Sequence, residues 1–173
     1  MNLYSTSDFF SLSYLESMKV YREQAKKDVG KLKAQDFSGK SIDQLTELIC
    51  AKQNLKVPKI KDQKEWKRIK DKVYIPYSGD DIFFKILPTP SPEDFLCEPD
   101  PYDIERIQRR IHIGRRNCLV FTDPAEEGIA DELKYVMEQL KSYLRIHEKK
   151  YKKFFDELKT MVKQDLEARK RQI

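Results

Sequence analysis

Residues 129–173 read IADELKYVMEQLKSYLRIHEKKYKKFFDELKTMVKQDLEARKRQI. Apolar residues recur in this stretch at alternating three- and four-residue steps: Leu133, Met137, Leu140 and Leu144, then Tyr151, Phe154, Leu158 and Met161. Only His147 interrupts the seam before Asp165 closes it. That spacing is a coiled-coil rhythm. No Gly follows Gly128 and no Pro follows Pro124, so the spacing predicts one helix far longer than the usual 11–12 residues or so.

Upstream, Ser7 and Asp8 offer N-cap side chains for a first helix, whose apolar stripe would be Leu15, Met18, Tyr21, Ala25, Val29 and Leu32. Residues 36–39 read as the loop that stops it. Ser41 followed by Gln44 forms a capping box ahead of Ile42, Leu45, Leu48 and Ile49. A second helix is therefore predicted to end near Asn54, and two helices joined by a short loop pack antiparallel. Val73, Ile75 and Tyr77 alternate, Ser78-Gly79-Asp80 supplies a turn, and 82–87 is rich in Ile and Phe, the pattern of a β-hairpin. Pro88, Pro90, Pro92, Pro99 and Pro101 then impose an extended loop, which Phe95 and Leu96 would pin to the core.

Residues 104–113 fit two readings. Ile104, Ile107 and Ile111 suit a helix with acids first and arginines last. Ile107, Ile111 and Ile113 also share a strand face, and a turn at 114–117 would lead into Cys118-Leu119-Val120-Phe121, so a second hairpin is the expectation. The sum is an α+β chain: an N-terminal amphipathic helix pair, a small mainly antiparallel β region of about four strands, and a long C-terminal helix. Residues 1–123 would form the domain. Residues 124–173 would be the helix, its first half packed on the domain and its second half, with the seam Tyr151, Phe154, Leu158 and Met161, left for a partner.

Composition narrows function by exclusion. The net charge of +5 is mild, but it is unevenly spread. Eight Lys or Arg face three acids between Lys56 and Ile75, seven acids face Lys85 alone between Asp80 and Asp103, and five Arg face one Glu between Glu105 and Arg116. Cys50, Cys97 and Cys118 are odd in number and widely spaced, which fits small buried residues in a reducing cytosol better than a disulfide framework. No run approaches the ~20 apolar residues of a membrane span, and no secretory leader is recognisable at Met1–Phe10.

Candidate chemistry is sparse. Gly39-Lys40-Ser41 resembles the end of a phosphate loop, yet position 34 is Ala and a helix precedes it, so a helix cap is the better reading. His112 and Cys118 would lie on opposite sheet faces if Ile113 faces Cys118, which disfavours a nucleophilic dyad. Two His residues leave no ligand set for zinc, and no cofactor or metal is expected. Asp80, Asp81, Lys85 and Asp123 are the acids and base a metal-dependent nuclease would use, though turns explain Asp equally well. The basic residues Lys67, Arg68, Arg109, Arg110, Arg115 and Arg116, with Trp66 beside the first pair, are the candidates for binding phosphate or nucleic acid. A solvated basic face with Trp66 turned inward is the competing account. His147 at a seam position would set register or titrate, or else sit exposed beside a helix bend. No catalytic residue is assigned. The first functional expectation is a non-catalytic interaction or regulatory part of a larger intracellular protein, self-associating as a homodimer or docking a protein partner through the last helix, with bacterial defence as a setting by analogy of layout. Nucleic-acid or nucleotide binding and metal-dependent cleavage follow it.

Overall fold

The computed structural model describes residues 9–87, 100–122 and 129–173. Helix α1 spans Tyr14–Gly30, α2 Ala34–Ser38 and α3 Ile42–Ala51. Strands β1 (Lys59–Ile60), β2 (Lys67–Ile69) and β3 (Lys72–Ser78) follow, then α4 (Ile82–Lys85) and α5 (Pro101–Arg110). Strands β4 (Ile111–Ile113) and β5 (Cys118–Thr122) precede α6 (Ile129–Gln172). Over the described residues the chain is thus α+β, with N-terminal helices, a small antiparallel sheet of five strands and one long C-terminal helix. It forms two compact units, one of residues 1–14 with 56–148, the other of residues 15–55 with 149–173.

The sheet belongs to the first unit, in the order β1-β3-β5-β4, with β2 also on β3. Every pairing is antiparallel. Because β5 pairs Lys72–Pro76 on one edge of β3, β2 at Lys72–Tyr74 and β1 at Tyr77–Ser78 must lie end to end along the other. Alternation then sorts the side chains. Val73, Ile75 and Tyr77 fall on the buried face with Leu119 and Phe121, and Ile111 joins them from β4. Phe9, Phe83, Phe84, Ile86 and Ile107 are also fully buried, as are Val136 and Leu140 from α6. His147, rather than standing exposed at a bend, is 1% exposed on an unbroken helix with its ring 6.0 Å from that of Phe83.

Three expectations fail, each for a physical reason. Residues 82–87 are not a hairpin partner, since both edges of β3 are taken and a strand would send Phe83 and Phe84 to opposite faces. The helical turn Ile82–Lys85 lets both be buried, and Ile86 instead bridges Leu12. Residues 101–110 are helical rather than extended. Asp100 caps the helix by accepting the N–H of Tyr102, Pro101 occupies the first turn instead of a loop, and arginines occupy the last, so strand geometry begins only at Ile111. The 36–39 stretch is largely α2, where Asp36 accepts the N–H of Lys33 at 2.8 Å. The Ser7 and Asp8 caps, Pro88–Pro99 with Phe95, Leu96 and Cys97, and Asp123 lie outside the described residues.

The second unit is built from α1, α3 and the later part of α6. Arg22 reaches Glu157 at 2.8 Å and Arg169 donates to the Leu32 carbonyl, so α1 runs parallel to α6. Lys163 meets Asp43 and Lys159 meets Glu47, each at 2.8 Å, so α3 runs antiparallel to both. Met18, Ala25 and Val29 from α1 are buried, but Leu15, the expected start of that stripe, is 79% exposed. Leu45, Ile49 and Cys50 are buried from α3; Tyr151, Phe154, Leu158, Val162 and Leu166 are buried from α6. Met161 is only half-buried. The seam from Tyr151 to Leu158 is therefore covered by this chain's own helices.

Candidate functional site

The basic residues do not converge. Lys67 and Arg68 stand on the edge strand β2, Arg109 and Arg110 end α5, and Arg115 and Arg116 occupy the β4–β5 turn, where Arg116 and Asn117 adopt φ of 58° and 53°. β2 and β4 are separated by β3 and β5, about 14 Å at one strand spacing each. The arginines of α5 are answered locally. Arg106 forms a two-pronged contact with the carboxylate of Glu132 and lies 4.5 Å over the Tyr135 ring, Arg110 is 3.8 Å from Glu132, and Arg109 bonds Glu105. The Arg106 contact holds the Glu132 carboxyl below its usual range. Tyr135 in turn donates to Asp103 at 2.6 Å, and keeping that proton raises its phenol. This knot ties α5 to the start of α6.

The remaining candidates have structural work. Ser41 accepts the Gln44 N–H at 3.1 Å and its own N–H goes to the Gln44 side chain, so Gly39-Lys40-Ser41 is the cap of α3. Asp80 accepts the N–H of Lys56, and Asp81 pairs with Lys85 at 3.3 Å. The β4–β5 register sets Ile113 opposite Leu119 and His112 opposite Val120, not Ile113 opposite Cys118. His112 and Cys118 therefore share a face after all. Burial pushes the Cys118 thiol up, and burial together with Lys72 pushes His112 down, so the pair favours a neutral thiol beside a neutral imidazole instead of an activated thiolate. Among the described residues no three His, Cys, Asp or Glu are grouped to hold a metal ion, and no helix is long and apolar enough to cross a membrane.

What the fold does build is a groove in the first unit, between the β1–β2 edge and one side of α6. Its larger hollow, about 640 Å³, has an apolar base of Val73, Leu133 and Met137. Trp66, Arg68 and Asp62 line one wall; Lys134, Glu138 and Lys141 line the other. Trp66 is half-buried and its Nε1–H donates to the Lys61 carbonyl at 2.9 Å, which fixes the indole. A smaller hollow, about 180 Å³, continues from Lys141 along Leu144, Arg145 and Glu148, opposite Val57–Ile60. Gly79 sets that opposite wall: at φ 109°, a Cβ here would come within 2.7 Å of the Lys56 carbonyl. Arg68 thus belongs to a site made mostly of residues that sequence reading passed over, because Lys134, Glu138 and Lys141 look like any solvated helix face; Lys67, paired with Tyr74 rather than Val73, does not line it. Compared with family models, with curated proteins and with solved structures, the chain matches none of them.

Proposed function

We propose that the protein is a non-catalytic interaction module whose working surface is the groove between the β1–β2 edge and α6. The supporting observation is the groove's make-up: an apolar base containing an adaptable Met, a fixed half-buried Trp, and walls of alternating charge. Such a surface binds a partner chain by burying its apolar side chains while pairing its polar ones. Self-association through the Tyr151–Leu158 seam would require α1 and α3 to leave, because they already cover it. We therefore assign the docking surface to the first half of α6 in preference to the second.

A photo-crosslinking residue at the exposed Lys134 position of the full chain, produced in cells, tests this. Protease-sensitive adducts are expected from position 134 and not from the exposed Lys26 position of α1. Absence of adducts at 134, or adducts sensitive only to nuclease, would overturn the reading.

A further inference from the structure

We infer that the partner presented to this groove is an acidic amphipathic polypeptide segment, lying along α6 with apolar side chains in the two hollows and carboxylates against the basic rim. The inference rests on the groove being the working surface. Three features of the molecule lead to it.

The first is length. The α6 residues that line the groove run from Asp131 to Glu148, roughly 26 Å of helix axis, which matches about 17 residues of a docked helix or about 8 of an extended chain. The second is the spacing of the apolar bases. Leu133 and Met137 floor one hollow and Leu144 with Ile60 the next, so a segment needs two apolar anchors on one side. The third is charge. The rim of the smaller hollow carries Lys59, Lys141 and Arg145 against Glu148 alone, so the rim there attracts an acidic ligand. Inside the larger hollow the balance differs: Asp62, Asp131 and Glu138 match Arg68, Lys134 and Lys141 in number. A nucleic-acid backbone carries a negative charge at every nucleotide and would press phosphates onto those three carboxylates. A polypeptide can place an apolar or basic residue there and its acids on the rim. The arrangement therefore favours a polypeptide over a nucleic acid.

Selection from a random peptide library of about 17 residues against the whole chain tests this, with a library of random single-stranded oligonucleotides as a parallel arm. The enriched peptides are expected to carry an excess of Asp and Glu around two apolar clusters. They should shift the emission of Trp66, the single tryptophan, and lose about tenfold in affinity for K141E/R145E, a pair of exposed positions on the basic rim that leaves the core intact. Enriched peptides that shift Trp66 emission but are neutral or basic, or that bind K141E/R145E equally well, would overturn the acidic partner and leave the interaction-module reading standing. Oligonucleotides binding at Trp66 more tightly than any peptide, or no ligand of either kind perturbing Trp66, would overturn both.

Discussion

The hydroxyl of Tyr151 accepts the Leu55 N–H at 2.7 Å and donates to the Gln53 carbonyl at 3.0 Å, within a side chain only 6% exposed. Residues 53–55 leave the end of α3, where backbone groups have no helical partner. A single phenol thus satisfies a donor and an acceptor that the protein shields from water. Y151F keeps the ring and removes both bonds, and should destabilise the second unit by about 1–3 kcal/mol in denaturant unfolding. An unchanged midpoint would mean that water replaces the phenol there. His112 makes a prediction of opposite character. Its imidazole is held below 6.5 by burial and Lys72, so the unfolded chain binds a proton more readily than the folded one. Stability then rises with pH through this range and falls as the pH drops below about 6.5. The H112Q variant should lose less stability than the natural chain between pH 7 and 5, when both are followed by thermal unfolding. Glu132, held low by Arg106, adds a second loss only below its ordinary value of 4.5.

Among the elements, α6 carries the sharpest test of where its apolar seam is used. Leu158 is fully buried within the second unit. L158A should cost about 2–5 kcal/mol and lower the unfolding temperature by the same amount at every protein concentration. A midpoint that moves with concentration would show that a second copy shares the seam. Legibility of the elements follows from how local their causes are. The Ser41–Gln44 box and the unbroken run of α6 rest on neighbours three or four residues apart, and both appear as read, although the buried seam ends on Val162 and Leu166 rather than on Met161. The helix at 82–85 does not announce itself, because it depends on β5, β1 and β2 having occupied both edges of β3. The 101–110 helix was decided by the Asp100 cap and Pro101 at its N-terminus, local signals outweighed in the reading by its β-branched isoleucines. The groove was the least legible feature of all. Its walls lie some 70 positions apart in the sequence, and on a lone helix Lys134, Glu138 and Lys141 have no reason to differ from other solvated charges.

For the whole molecule, the second unit is assembled from two ends of the chain. Arg22 finds Glu157 across 135 positions, Asp43 finds Lys163 across 120, and Glu47 finds Lys159 across 112. These exposed ion pairs are screened by salt and add little; the buried Met18, Val29, Leu45 and Ile49 set the need for α6. A chain stopped after Glu148 should lose amide protection throughout α1 and α3 in hydrogen exchange, whereas protection that persists would show the helix pair to be stable alone. The same discontinuity has a consequence in time. At a synthesis rate of about 5–20 residues per second, roughly a hundred residues separate the end of α3 from the arrival of its cover, an interval on the order of 5–20 s. For that interval the apolar faces of the first helices have no cover from their own chain.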